Sequence, residues 1–266
     1  MKKWGKLLLA SILIMGLAFS TVGCGGSSDG NKSDGDKNVA KKIVVGSETT
    51  FPPFEFEENG EKVGFDMDVI RAIGEVQGYE VEIKYQAFDS LITALQSGHI
   101  DCAVSGMSIT PERLEAIDFS EPYFDAGLII AVRSDEQNIN DIDDLAGKKL
   151  AAQIGTIGAA AANGVKEKDA STEVRTFQSI GEAFMELEKG GVDAIVNDHP
   201  VTAYYIQTTA KDTVKMVGEL FSADDQYGIA VKKGNSEVLN MINEGLAKIR
   251  ENGTYDEIYD KWFSAQ

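Results

Sequence analysis

Short apolar segments alternate with helical stripes along most of this chain. Residues 43–46 and 100–104 are almost wholly apolar, which is typical of strands buried within a parallel sheet. Between them, residues 67–76 carry apolar side chains at the spacing of one helical face, and residues 238–249 repeat that stripe. Prolines at 52–53 exclude helix and central strand, so a rigid loop is predicted there. This alternation predicts a doubly wound α/β fold.

One pattern of helix, glycine, turn and strand occurs twice. Leu-x-x-Gly-x-x-Asp-x-x-Val spans residues 95–104 and again residues 187–196. Each predicted strand leads into a polar loop, which begins at Ser105 in the first copy and at Asn197 in the second. Ligands of open α/β sheets bind beyond the carboxyl ends of the strands. The echo therefore predicts two similar domains with a cleft between them, although such common residue types can also match by chance.

The loop after the first of these strands carries a candidate anion site. Residues 105–113 read Ser-Gly-Met-Ser-Ile-Thr-Pro-Glu-Arg, with Thr110 as an N-cap and Pro111 as the first helical residue. Loop and helix-start N–H groups favour an anion, and the forked guanidinium of Arg113 matches a carboxylate. We interpret this loop as a cradle for the α-carboxylate of a small ligand. The alternative is an ordinary capped helix whose arginine forms a surface ion pair.

Four predicted strand-end loops together carry the groups that a free amino acid requires. Arg113 can hold its carboxylate, Asp198 can hold its ammonium, and the rings of Phe51 and Phe88 can contact its side chain. Each residue alone has an ordinary role, core packing for a phenylalanine and helix capping for Asp198, so the joint occurrence is what favours a site. The candidate ligand-binding residues are Glu48, Phe51, Phe88, Ser105, Gly106, Ser108, Arg113, Gln153, Thr156, Ile157, Asn197 and Asp198.

Enzymatic and nucleic-acid functions find little support in the sequence. It contains no Gly-x-Ser-x-Gly elbow, no complete phosphate-binding loop and no His-Glu-x-x-His motif. Its two histidines, His99 and His199, have no nucleophile or metal partner in pattern, and two cysteines cannot form a thiolate metal site. The formal net charge of −18 repels nucleic acid. We therefore expect no catalytic residue, metal, cofactor or nucleic-acid partner.

The amino-terminal residues predict export rather than fold. Three lysines within the first six residues precede the apolar run 7–19, and small residues follow, which indicates a signal peptide over 1–23. The residues before Cys24 resemble a bacterial lipobox, with Thr21 where leucine is usual, and this implies lipidation of Cys24 and a membrane anchor. A plain secretory signal is the alternative. Residues 24–40, rich in Gly, Ser and Asp, predict a flexible tether.

Six motifs link the folded part of the chain to a known family. They are FPPFEF at 51–56, VGFDMD at 63–68, SGMSITPER at 105–113, DFSEPY at 118–123, GTY at 253–255 and KWF at 261–263. With these motifs, residues 43–263 resemble the solute-binding proteins of polar amino-acid ABC transporters, the bacterial family-3 extracellular group.

The resemblance implies a periplasmic-binding-protein-like type II fold, in which two doubly wound α/β domains are joined by a two-strand hinge. The first domain would be discontinuous, from residues 41–126 and 223–266, and the second would span residues 127–222. Closure over a free L-amino acid would present one shape to an ABC permease. The protein would act as a lipid-anchored, extracytoplasmic monomer.

The family pattern also implies a role for each candidate residue. Arg113 would grip the α-carboxylate, helped by N–H groups near Ser108 and Ile157. The α-ammonium would be held by Asp198, by Ser108 and by the carbonyl of Gly106. The side-chain pocket would be shaped by Glu48, Phe51, Phe88, Gln153 and Asn197.

Ligand specificity follows from charge. Glutamine-binding relatives carry Lys and His at the positions of Gln153 and Asn197, so Glu48 here has no resident cation. A buried unpaired carboxylate is costly, which favours a cationic ligand, arginine or lysine and also histidine, with glutamine as the alternative. Two other classes stay open. One is an enzyme on the same fold, such as a cyclohexadienyl dehydratase acting on arogenate or prephenate, and the other is the ligand-sensing domain of a receptor.

Overall fold

Two five-stranded mixed sheets organise residues 41–264, the part of the chain that this computed structural model describes. The signal peptide, the lipidation site Cys24 and the tether were predicted for residues outside that range. None of the helices between residues 41 and 264 is long and apolar enough to cross a membrane. We call each sheet with its helices a lobe.

The first lobe combines the amino-terminal strands with one strand from late in the chain. Four of its strands run in the same direction, while the late strand runs antiparallel to both of its neighbours. The strand order is Tyr79–Tyr85, Lys41–Ser47, Cys102–Ala103, Ala230–Lys232 and Ile117–Phe119. Its helices are Phe65–Gln77, Leu91–Ser97 after the 3₁₀ turn Phe88–Ser90, Pro111–Ala116, Ser236–Glu251, Thr254–Tyr259 and the π-turn Asp260–Ser264.

The second lobe is built from the middle of the chain. Its first three strands are parallel, and the last two pair antiparallel. The strand order is Glu173–Phe177, Lys149–Gln153, Ala194–Asp198, Leu128–Arg133 and Val214–Phe221. Its helices are Ile157–Lys168, Ile180–Glu188 and His199–Thr208, with the 3₁₀ turn Ile142–Leu145.

The chain passes between the lobes twice, through two short antiparallel strands. These hinge strands are Phe124–Asp125 and Gln226–Tyr227. The first precedes the second lobe's sheet strand at Leu128–Arg133, and the second leads back into the first lobe's sheet at Ala230–Lys232. The predicted domain boundaries lie beside these strands, at 126/127 just after the first and at 222/223 shortly before the second, and they stay predictions.

The helical stripes were predicted correctly, but two local details differ. The strand predicted over 100–104 is reduced to Cys102–Ala103, because the Asp101 carboxylate accepts the Val44 N–H at 2.8 Å at its start. The prolines lie in a turn, as predicted, but the strands on either side of that turn belong to a small antiparallel sheet that was not predicted. Those strands are Thr50–Phe51, Glu55–Glu58 and Glu61–Val63.

Candidate functional site

A narrow cavity lies where the two lobes face each other. Its free volume is about 10 Å³, close to the space that one water molecule needs, so the lobes would have to separate before a larger molecule could enter. Ten of the twelve residues predicted from the sequence line it: Phe51, Phe88, Ser105, Gly106, Ser108, Arg113, Gln153, Thr156, Ile157 and Asp198.

The Arg113 side chain bridges the lobes at this cavity. Its Nη1 donates to Ser108 O at 2.7 Å, and its Nη2 donates to Gly155 O in the second lobe at 2.9 Å. The guanidinium carbon lies 5.4 Å from the centre of the Phe88 ring, and the residue is only 8% exposed. Burial lowers the pKa of this guanidinium, but it stays charged at neutral pH because arginine starts from a very high pKa. A fixed, desolvated cation therefore faces the cavity.

The capping predicted at residues 110–113 is present. Thr110 Oγ1 accepts the Arg113 N–H at 3.2 Å, and Pro111 occupies the first helical turn. The helix Pro111–Ala116 has only six residues. The anion preference of this loop therefore rests on the guanidinium rather than on the short helix.

A longer helix begins on the opposite wall. Thr156 caps the helix Ile157–Lys168, since its Oγ1 accepts the Ala159 N–H at 3.1 Å. The first N–H groups of a helix have no acceptor within it and favour negative charge, and Ile157 lines the cavity. The Thr156 hydroxyl itself also donates to Gln153 O at 2.8 Å, so it is occupied by the fold.

Asp198 supplies the negative charge of the second lobe. It ends the strand Ala194–Asp198 and precedes the helix His199–Thr208, but its side chain makes no capping hydrogen bond. The residue is 3% exposed, and its Oδ1 has no hydrogen-bond partner among the described residues. Burial, and then the nearby Asp225, raise the pKa of Asp198 to about 7, which Arg113 opposes. An ammonium beside this group would favour its ionised form.

Glu48 and Asn197 are buried but do not line the cavity. Glu48 donates its N–H to Ser105 Oγ at 3.1 Å and accepts from the Thr50 hydroxyl. Within the described range, no hydrogen-bond partner reaches its Oε2, and burial raises the pKa of this carboxyl. The Asn197 amide donates to Thr202 Oγ1 at 3.1 Å, which holds the start of the next helix. The ligand-binding roles of all twelve residues stay predictions.

The family model for bacterial extracellular solute-binding proteins, family 3, matches residues 43–265. The chain belongs to this family. The probable histidine-binding protein of Neisseria gonorrhoeae is 32% identical to this chain over 268 residues. The match covers 100% of this chain and 97% of that relative.

Solved structures agree in fold with this family-3 solute-binding protein. An ancestral arginine-binding protein bound to arginine is 46% identical, with a TM-score of 0.80, over 84% of this chain and 98% of that one. An ancestral arginine-binding protein bound to glutamine is 47% identical, with a TM-score of 0.78, over 84% and 97% of the two chains. The predicted type II periplasmic-binding-protein-like fold is confirmed.

One similar structure points toward enzymes. The ancestral amino-acid-binding protein AncCDT-1, described as a precursor of cyclohexadienyl dehydratase, is 38% identical with a TM-score of 0.75, over 84% of this chain and 95% of that one. The named relatives are otherwise solute-binding proteins of amino acids. Between residues 41 and 264, no group of three or more His, Cys, Asp or Glu side chains is arranged to hold a metal ion.

Two buried carboxylates behind the cavity were not predicted from the sequence. Glu55 Oε1 accepts from Ser105 Oγ at 2.7 Å, and Asp66 Oδ2 accepts from Gly106 N–H at 2.8 Å, so the pair holds two cavity-lining residues. Burial is the main cause that raises both pKa values, that of Asp66 to about 6 and that of Glu55 well above its usual range. Each acid stands between apolar neighbours in its motif, a signal that indicates burial.

A third missed carboxylate, Asp225, precedes the second hinge strand and is 9% exposed. Burial raises the pKa of its carboxyl, and the nearby Ser108 hydroxyl and Arg113 guanidinium oppose that rise. Its local sequence is polar and acidic, so nothing in the pattern distinguishes it from the exposed Asp224 beside it.

Proposed function

We propose that this protein is an extracytoplasmic, lipid-anchored receptor that binds a polar L-amino acid, preferably arginine or lysine, and delivers it to an ABC permease by hinge closure. The observation that supports it most is that Arg113 of the first lobe and Asp198 of the second line one small cavity. Opposite charges on opposite walls complement the carboxylate and ammonium of any free amino acid.

Ligand binding and closure are coupled in this proposal. The carboxylate would bind Arg113 and the N–H groups at the start of Ile157–Lys168, while the ammonium would bind Asp198. A ligand that contacts both lobes at once binds the closed form more tightly than the open form, and so shifts the population toward it. The hinge strands Phe124–Asp125 and Gln226–Tyr227 are where that rotation would occur.

The preference for a basic side chain rests on Glu48. Its carboxylate is buried, one of its oxygens lacks a hydrogen bond, and no Lys or Arg in the described part of the chain forms an ion pair with it. A ligand ammonium or guanidinium would relieve that cost. Relatives named for binding histidine and arginine agree with this preference, while the relative bound to glutamine favours the alternative.

Calorimetric titration of the purified protein with arginine, lysine, histidine and glutamine tests the function. We expect arginine or lysine to bind most tightly. Glutamine binding more tightly than both would contradict the basic preference but keep the receptor function. If no amino acid binds and the protein converts arogenate or prephenate, the enzyme alternative is correct.

The charge of Glu48 can be tested by replacing it with its neutral isostere. Glu48→Gln is expected to weaken arginine binding about 10- to 100-fold, because a buried charged hydrogen bond contributes roughly 1.5–3 kcal/mol. Glutamine binding should change much less. Glu57→Gln, at an exposed position in the strand Glu55–Glu58, is the matched control. An equal loss for both ligands would show that Glu48 does not recognise ligand charge.

The lipid anchor depends on Cys24. Cys24→Ser is expected to move the protein from the membrane fraction to the soluble fraction of the host cell, because the acyl chains supply the membrane affinity. Cys102→Ser serves as the control, since Cys102 is buried in the fold. Fractionation of cells that express each variant measures the effect, and a Cys24→Ser protein that stays in the membrane would refute the anchor.

A further inference from the structure

The turn over residues 153–156 joins a sheet strand of the second lobe to the helix that follows it. Thr156 N–H donates to Gln153 O at 3.4 Å across the turn, and Ile154 N–H donates to the neighbouring strand at 2.9 Å. Gly155, the third residue of the turn, has a φ of +78°, which in four-residue turns is typical of glycine. Backbone bonds therefore hold the turn in a shape that depends on Gly155.

The carbonyl of Gly155 is bonded to the other lobe. It accepts from Arg113 Nη2 at 2.9 Å, while Arg113 Nη1 donates to Ser108 O of its own lobe at 2.7 Å. Both lobes thus fix the orientation of the guanidinium that would hold the ligand carboxylate. The bond to Gly155 O can form only when the lobes are close together.

The missing side chain of Gly155 allows the second lobe to come close to the 3₁₀ turn Phe88–Ser90 of the first. A Cβ at position 155 would lie 3.3 Å from Asp89 Cβ, 3.4 Å from Asp89 Cα and 3.7 Å from Phe88 Cδ1. Carbon atoms in contact usually lie about 3.5–4.0 Å apart, and the Cα of Asp89 cannot rotate away. Gly155 and Asp89 are both exposed, so this contact lies at the edge of the cleft.

We infer that Gly155 is a positioning residue for amino-acid binding, which fixes the Arg113 guanidinium when the lobes close and, because it has no side chain, lets them close fully. This inference rests on the proposed function and deepens it. In an open form, Arg113 would keep its bond to Ser108 O and lose its bond to Gly155 O. Closure would thereby orient the group that binds the ligand carboxylate.

A side chain at position 155 should weaken the binding of every amino acid to the same extent. The contact with Asp89 and the bond to Arg113 involve no group that would recognise the ligand's side chain. Obstruction of closure removes differential affinity for the closed form, on which the proposed binding depends. This effect differs from that of Glu48→Gln, which is expected to weaken arginine binding far more than glutamine binding.

Gly155→Asn tests the inference by calorimetric titration with L-arginine and, separately, L-glutamine. Asparagine tolerates the left-handed backbone conformation better than most residues, so the substitution adds a side chain with little strain. The affinity for each ligand is expected to fall about tenfold, because the obstructed closed form loses a hydrogen bond to a charged group.

Gly190→Asn is the matched control. Gly190 lies in the same lobe with a φ of +76°, and the nearest atom to a Cβ placed there is Arg133 Nη1 of that lobe, 3.9 Å away. The control should bind both ligands within about twofold of the wild type. Urea unfolding should give similar stabilities for the two variants, since both place asparagine in the same backbone conformation.

A second substitution distinguishes the contact between the lobes from a local effect in the second lobe. Asp89→Gly removes the Cβ that a side chain at position 155 would meet first. In that background, Gly155→Asn should weaken binding by less than about threefold, and the double-mutant cycle measures this coupling. A defect confined to the turn over residues 153–156 would persist undiminished.

The outcomes that contradict the inference are distinct from failure of the proposed function. A Gly155→Asn protein that binds both ligands as tightly as Gly190→Asn would overturn it, as would an undiminished loss in the Asp89→Gly background. If Gly155→Asn does not fold, Gly155→Ala adds the Cβ alone and is compared with Gly190→Ala by the same criteria. A wild type that binds neither ligand would refute the proposed function, and this inference with it.

Discussion

Replacing Arg113 by alanine is expected to weaken amino-acid binding by about a thousandfold, because truncating one member of a buried charge pair costs roughly 2–5 kcal/mol. The guanidinium is 8% exposed, donates to Ser108 O and Gly155 O, and faces the cavity together with Asp198. Without it, the ligand carboxylate would be buried opposite no cation. Calorimetric titration with the tightest-binding amino acid measures the loss.

Two further variants separate charge from geometry at this position. Arg113→Lys keeps the charge but loses the fork that binds a carboxylate bidentately, so an intermediate loss of about 10- to 100-fold is expected. Arg71→Ala removes an exposed arginine that donates to Lys62 O, and should leave binding unchanged. An Arg113→Ala protein that is folded and binds within tenfold of the wild type would refute the carboxylate role.

Glu55→Gln is expected to stabilise the protein at about pH 8, by on the order of 2 kcal/mol, and to leave stability near pH 4 unchanged. In the wild type, Glu55 and Asp66 form a fully buried pair of acids, and within the described residues neither Glu55 Oε2 nor Asp66 Oδ1 has a hydrogen-bond partner. Gln Oε1 can still accept from Ser105 Oγ, and its Nε2 supplies a donor to Asp66 without needing a proton.

The direction follows from proton linkage. Burial raises the pKa of Asp66 to about 6 and that of Glu55 well above its usual range, whereas both lie near 4 in an unfolded chain. The folded protein therefore binds more protons than the unfolded one at intermediate pH. Wild-type stability should fall as pH rises from about 4 through the raised pKa values.

Urea unfolding at about pH 4, 6 and 8 measures this effect as the change in free energy of unfolding. Glu57→Gln, at an exposed position in the same strand, should follow the wild-type pH dependence. If Glu55→Gln loses stability with pH as steeply as the wild type, the buried pair does not take up protons on folding.

Local chemistry made much of the site predictable. The cap at Thr110, the proline after it and the position of Arg113 in the first turn depend on residues within one turn of helix, and all are present. Ten of the twelve predicted residues line one cavity, because loops at the carboxyl ends of strands converge in an α/β fold. Glu48 and Asn197 stand behind the lining, and sequence position alone did not separate them from the residues that line the cavity. Asn197 was predicted to begin a loop, but the strand Ala194–Asp198 continues through it and leads directly into the next helix.

The sequence by itself determined the alternation of strands and helices, the family and the charges available for a zwitterion. Periodicity and capping are local properties that any chain carries in its order of residues. Only the tertiary structure decided that Arg113 bonds to Gly155 of the other lobe, and that Asp225 is buried beside Ser108 while Asp224 is exposed. Burial and electrostatic coupling depend on which distant segments pack together, and adjacent residues of the same type can therefore differ completely in their surroundings.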